Sequence, residues 1–376
     1  MNVYEELGLS RVINADSRMT ALGGSIMRPE VAAAMAAASG QHVDMFALQE
    51  RVGRRIADLT GNEDALVCTG AAAGIFISLL ACMTGGDPAA IARLPRVVPA
   101  RHEVIVHCAH RIPYDPVVAL TGATTVEIGN ALQTFEWELE AAITDATAAV
   151  YFVAGEHLRR GSLPLETTVE IAHRHGVPVI VDAAAQLPPR SNLWYFSREL
   201  DADLVVFSGG KELRGPQSSG FVVGRTELIG ACCANASPHQ RLARLAKVGK
   251  EEMIGLLTAI DCYLKEDEDA RLAGFEAIVA EWVRVFSNLS PALTVTRDFP
   301  NEAGQPVPRV RIDVNPDLTG LSAFALQQRL MEHTPPVAVA AEYDRYLYLT
   351  PDTLEPGEEA IVANAIRWCF SGLGPA

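Results

Sequence analysis

Three short stretches of this sequence carry residue types that could together hold a flat, cationic, phosphorylated ring. The first is Ser208-Gly209-Gly210-Lys211, where two glycines present a lysine directly after the apolar run Leu204–Phe207. A lysine set among glycines and strand ends, away from a solvated helix face, is a candidate amine nucleophile. Desolvation there favours the neutral amine that Schiff-base chemistry requires. The second stretch places Asp182 at the end of the wholly apolar run Val177–Val181. A carboxylate in such a place is costly unless something positive meets it, and a protonated pyridine nitrogen is such a partner. Beside it, Ala184 and Ala185 are small enough for a ring to lie against the backbone, and Gln186 could donate to a phenolic oxygen on that ring. The competing reading of Asp182 is a helix cap. The third stretch, Thr69-Gly70-Ala71-Ala72-Ala73-Gly74, joins a short apolar run to a helical pattern through Ile75 and Leu79. Exposed N–H groups and the dipole of a helix start attract an anion such as phosphate. Small residues at such a junction serve close packing equally well.

The conjunction is more specific than its parts. An anion cup, an acid after a middle strand and a lysine 29 residues later stand in the chain order needed to hold pyridoxal 5′-phosphate (PLP) on Lys211. The cofactor-binding set is then Thr69, Gly70, Ala71, Ala72, Asp182, Ala184, Gln186, Ser208 and Lys211. His110, just past the run Val104–Cys108, is placed to stack on the ring's open face, with His107 as the alternative. Either imidazole could equally be an ordinary surface histidine.

Ligands in open α/β sheets sit beyond the carboxyl ends of the strands, so the elements that carry these residues matter. Ala65–Cys68, Val104–Cys108, Ala148–Val153, Val177–Val181 and Leu204–Phe207 are apolar along their full length, as strands covered on both faces are. Amphipathic stretches such as Leu165–His175 lie between them, which predicts an α/β fold with a largely parallel sheet. Gly220–Val223 follows too soon for a crossover helix and should pair antiparallel. Met45–Leu59 has helical spacing at Leu48, Val52, Ile56 and Leu59. After Lys250 the chain is helix-rich to Leu289. It continues through strand-like runs at Val307–Val314, Val337–Ala341 and Tyr346–Leu349 to a last helix over Pro356–Phe370, the pattern of a smaller α+β domain. The expected division is an N-terminal segment 1–45, a large domain 46–250 and a small domain 251–376.

Of 376 residues, 49% are hydrophobic and 20% charged, a globular balance, and the net charge is −15. Apart from the short set Arg241, Arg244, Lys247 and Lys250 there is no basic block, which argues against nucleic acid as a partner. Seven cysteines, an odd number without paired metal-ligand spacing, read as reduced thiols, Cys232 and Cys233 included, so no metal is expected. The N-terminus has no apolar signal core and no apolar run reaches spanning length, so a cytoplasmic protein without a membrane segment is expected.

The motifs INADSRMTALGGSIMRPEV (Ile13–Val31), TGAAAGI (Thr69–Ile75), VDAAAQLPP (Val181–Pro189), SGGKELRGPQSSG (Ser208–Gly220) and KVGKEE (Lys247–Glu252) resemble those of fold-type I PLP enzymes. Within them, the likeness is to the bacterial selenocysteine synthase (L-seryl-tRNA(Sec) selenium transferase) family. It extends to that family's tRNA-independent relatives, which include D-glucosaminate-6-phosphate ammonia-lyase. The resemblance implies the aspartate aminotransferase-like fold, a seven-stranded mostly parallel sheet with a smaller C-terminal α+β domain. It also implies a homodimer or larger assembly with active sites at subunit interfaces. In the tRNA-using members the likeness starts after an added N-terminal helical domain; with the −15 charge, this argues against tRNA as substrate. Many relatives carry a substrate-carboxylate arginine near Val337–Ala341, where this chain has Ala340. Arg18, Arg309, Arg311 and Arg345 are the candidate substitutes.

With Lys211 as general base and Asp182 fixing the protonated ring, a carbanion at the substrate's α-carbon is the common expectation. Its fate distinguishes the reactions. The resemblance favours β-elimination of ammonia-lyase type from a small amino acid or amino sugar acid. The alternatives are an amino-acid racemase, an aminotransferase, or a catalytically silent PLP-fold ligand sensor.

Overall fold

The computed structural model describes residues 3–370. The chain packs as two compact units. Among the described residues, the larger comprises Met27–Glu266 and Glu302–Gly304, and the smaller comprises 3–26, Asp267–Asn301 and 305–370. This division differs from the one drawn at residues 45 and 250. The helix Pro29–Ser39 and the helix Lys250–Lys265 lie against each other, which places both in the larger unit.

Seven strands form the sheet of the larger unit: β1 (Asp64–Cys68), β2 (Glu103–His107), β3 (Thr124–Ile128), β4 (Thr147–Val153), β5 (Val179–Asp182), β6 (Leu204–Ser208) and β7 (Gly220–Gly224). Their spatial order is β1-β7-β6-β5-β4-β2-β3. The strands from β6 to β3 run parallel, and β7 is antiparallel to both β6 and β1. The short link before Gly220 therefore has the predicted consequence. Alternation along β5 explains its apolar run: Val179 and Val181 enter one core and Ile180 the other. The first core packs under helices Met45–Thr60, Leu165–Arg174 and Lys250–Lys265, and the second under Ala71–Thr84 and Thr226–Asn235. Strand β3 was not singled out by pattern, because its residues TTVEI lie at the sheet's edge, mostly exposed.

The helix Met45–Thr60 starts where Asp44 accepts hydrogen bonds from the N–H groups of Phe46 and Ala47, a cap that contributes about 1 kcal/mol. Its Gly53 permits close approach to β1, since a β-carbon there would sit 2.1 Å from the Ala65 carbonyl oxygen. The smaller unit has a four-stranded antiparallel sheet of Leu293–Asp298, Arg309–Val314, Tyr346–Leu349 and Ala340–Glu342. The expected run Val337–Ala341 divides: Val337–Ala338 pairs with Ile13–Asn14 in a separate two-stranded ribbon. No helix among the described residues is long and apolar enough to cross a membrane.

Candidate active site

The carboxyl ends of β1, β5 and β6 bring the three predicted stretches into the larger unit. Asp182 is the last residue of β5 and only 8% exposed. Its Oδ1 accepts the Ala184 N–H at 2.9 Å, and its Oδ2 accepts the Tyr151 hydroxyl at 3.2 Å. Burial pushes this carboxyl above its usual range, while the Ala184 N–H, the charge of Lys211 and the Tyr151 hydroxyl pull it back. No helix begins at Asp182. The carboxylate closes a local turn instead, so the helix-cap reading does not hold.

Lys211 follows β6 in a tight turn, partly buried. Two backbone bonds, from Gly209 N–H to the Ser219 carbonyl at 2.8 Å and from Gly215 N–H to the Gly209 carbonyl at 2.9 Å, fold the turn back on itself. The glycines are required by space: a β-carbon on Gly210 would lie 2.5 Å from the Gln217 α-carbon. Ser208, half-buried, pairs with Gly220 at the strand end.

At the end of β1, Gly70 has φ +88° and begins the 14-residue helix Ala71–Thr84 without a side-chain cap. The N–H groups of Ala71, Ala72 and Ala73 thus have no acceptor within the helix. Ala72 is exposed, and Thr69 donates its hydroxyl to the Ser218 carbonyl at 3.1 Å. Gly220 supports the cup from the neighbouring strand, since a β-carbon there would sit 2.6 Å from the Gly70 carbonyl carbon and 2.9 Å from the Ala71 nitrogen. These features fit a phosphorylated pyridine: uncapped donors for its phosphate, a buried carboxylate for its ring nitrogen and an amine on a rigid turn.

Three sequence expectations meet a different arrangement. Gln186 does not offer a free amide, because its Nε2 donates to the carbonyls of Ala154 at 3.0 Å and Ala303 at 3.2 Å. It ties the end of β4 to the segment Glu302–Gly304. His110 is not the ordinary surface histidine of the alternative reading. It is 1% exposed, with its ring edge-on to Phe152 at 4.4 Å and its Nδ1 accepting the Val153 N–H at 3.2 Å. That acceptor role puts the ring proton on Nε2. His107 is fully buried 4.9 Å from His110, with neither ring nitrogen hydrogen-bonded. Burial holds both imidazoles neutral, His107 down to about 4 and His110 to about 3.

The four candidate arginines all lie in the smaller unit, where partners sort them. Arg18 forms a buried ion pair with Asp352 at 2.7 Å. Arg309 pairs with Asp298 at 2.6 Å and covers the Tyr348 ring, and Arg345 grips both oxygens of Asp313. Arg311 lies over Tyr346 with no hydrogen bond at its Nε, and has no carboxylate partner among the described residues. Ala340 pairs with Tyr348 in the same sheet.

Sequence reasoning missed Tyr151. Its signal was present: a phenol in the all-apolar run of β4 needs a partner when buried. The cysteines are free thiols, and burial pushes those of Cys68 and Cys232 far up, consistent with inert core residues. Among the described residues no cluster of histidine, cysteine and carboxylate side chains could hold a metal ion.

The relatives match over nearly all of this architecture. D-glucosaminate-6-phosphate ammonia lyase of Salmonella typhimurium is 35% identical, covering 97% of both chains. The 5′-C-glycyluridine monooxygenase-decarboxylase of a Streptomyces species is 36% identical over 96% of this chain and 90% of its own. A solved structure of a D-glucosaminate-6-phosphate ammonia-lyase superposes with a TM-score of 0.83 at 33% identity, covering 99% of each chain. The seven-stranded sheet is that of the fold-type I PLP-dependent enzymes. The family model for L-seryl-tRNA selenium transferase (SelA) matches residues 7–281. With that span and these identities, the chain belongs to the SelA family of enzymes.

Proposed function

We propose that this chain binds PLP on Lys211 and eliminates ammonia from a small amino sugar acid or related amino acid, working as a dimer or larger assembly. One observation carries the reading: a buried carboxylate, Asp182, held at a strand end within electrostatic reach of Lys211. Such a carboxylate is disfavoured by its surroundings and matches a ring cation. The 35% identical ammonia lyase, covered over 97% of its length, supports the substrate class.

Ala71, Ala72 and Ala73 would direct their N–H groups at the phosphate. Asp182 would hold positive charge at the ring nitrogen through its carboxylate. Bound there, PLP supplies an electron sink for the pair left when a bond to the substrate's α-carbon breaks. The Lys211 Nζ, once released, is the base that takes the α-proton and can return it to the departing β-hydroxyl as water; uptake of water by the resulting enamine would then give the keto acid and ammonia. Burial makes His107 and His110 weak bases, so they compete poorly for that proton.

The test is reconstitution with PLP, borohydride reduction and peptide mapping, followed by a panel of amino sugar acids assayed for ammonia and keto product. Lys211 should be the tagged residue, and Lys211→Ala should abolish both tag and turnover. A tag on another lysine, or normal turnover by Lys211→Ala, overturns the proposal. The 36% identical decarboxylase supports a second reading, oxidative decarboxylation of an amino acid joined to a nucleoside. Oxygen uptake and carbon dioxide release with a glycyl nucleoside, without ammonia release from sugar acids, would favour it.

A further inference from the structure

We propose that Tyr151 is a positioning residue for the cofactor's ring nitrogen, acting through Asp182: its phenol keeps the carboxylate ionised and aimed, so the shared proton rests on the ring. This rests on the PLP reading above and extends it to a residue in the core of the sheet.

The geometry comes from strand register. Tyr151 on β4 is level with Ile180 on β5, and Val153 is level with Asp182. Tyr151 therefore starts one pleat below the carboxylate on the adjacent strand, and its ring carries the hydroxyl up to Oδ2 at 3.2 Å. The ring is 1% exposed, among the aliphatic side chains of the second core, so bulk water does not substitute for it. The Ala184 N–H occupies the other oxygen. Burial and the Asp182 charge keep the phenol protonated, so it serves Asp182 only as a donor. A donor to the carboxylate stabilises the ion pair of carboxylate and pyridinium over the neutral pair in which the proton has crossed to Asp182. The ionised ring is the stronger electron acceptor. A filler role alone would be met by phenylalanine, which occupies nearly the same volume.

Tyr151→Phe separates the two roles. The enzyme is loaded with PLP carrying nitrogen-15 in its ring, and the ring-nitrogen resonance is followed from pH 7 to 9 beside the rate of cofactor loss. Wild-type protein should show a pyridinium resonance. The variant should move toward neutral pyridine, approaching Asp182→Asn as the neutral-ring reference, and release cofactor about tenfold faster or more. The melting temperature of the cofactor-free variant should stay within a few degrees of wild type. If the variant loads on Lys211 and matches wild type in both resonance and release, Tyr151 is only packing and the inference is overturned. If wild-type protein takes up no PLP on Lys211, the PLP reading itself fails. Should Tyr151→Phe not fold, site-specific 3-fluorotyrosine, a stronger donor of nearly the same shape, should slow cofactor release; unchanged release would overturn the inference.

Discussion

Replacing Asp182 with asparagine should make the cofactor-free protein more stable while weakening its hold on PLP. The carboxylate is 8% exposed at the end of a strand whose other residues are apolar, and burial is the leading cause that raises its pKa. That net rise remains after Ala184, Lys211 and Tyr151 have pulled the other way. The ionised group therefore costs folding free energy at neutral pH. Asparagine keeps the shape and can still accept at one oxygen from a neighbouring donor, but has no charge to desolvate. Removing a charge whose desolvation outweighs the pull of its neighbours should stabilise by about 1 kcal/mol, which corresponds to roughly 2–4 °C in melting temperature in a large domain. The sign with pH follows from a raised pKa: the cost is present above the folded-state pKa and is relieved as pH falls through it. The advantage of Asp182→Asn should therefore shrink on acidification. Calorimetry of cofactor-free wild type and variant at several pH values measures this directly, since bound PLP would mask it by mass action. In the loaded protein PLP should be retained at least tenfold less tightly by the variant, about 1.4 kcal/mol or more, which offsets the gain. A cofactor-free variant less stable than wild type at pH 8, or a gap that widens toward acid, would refute the reasoning.

Other perturbations follow from the same geometry. His107 and His110 stay neutral to about 4 and about 3, below the ordinary imidazole value, so the unfolded chain takes up protons first as pH falls. They should cost the cofactor-free protein stability between about pH 6.5 and pH 4, by about 1.4 kcal/mol per group per pH unit. His107→Phe should remove its share, read as a smaller drop in melting temperature between pH 8 and pH 5. Gly220→Ala drives a β-carbon against backbone atoms of Gly70 and Ala71 that cannot rotate away, so an overpacking loss of about 1–3 kcal/mol is expected. Because the displaced atoms form the anion cup, binding of pyridoxal phosphate should weaken more than binding of unphosphorylated pyridoxal. Equal losses for the two would place the cup elsewhere.

Much of this molecule was legible in one dimension. The fully apolar strands announced a sheet covered on both faces, since alternating residues feed separate cores. The short link before Gly220 dictated antiparallel pairing. Lys211, Asp182 and the Thr69–Gly74 stretch were readable because each departs from its surroundings in a way only chemistry or tight space explains: a charge ending an apolar run, glycines around a lysine. The exposed edge strand β3 escaped because nothing covers most of it, so its residues carry no apolar signature.

Partnership was what the linear order withheld. Four arginines of one type and one charge are equal in the sequence; in three dimensions three of them are committed to Asp352, Asp298 and Asp313, and Arg311 is not. Gln186 looked like a donor to a ligand, yet two backbone carbonyls had already taken its amide. Tyr151 looked like core, yet its hydroxyl reaches the site acid across the strand register. Residue type and spacing determine which groups can donate, accept or bury. Which partner each group meets depends on distances of about 3 Å between atoms far apart in the chain, and only the packed strands set those.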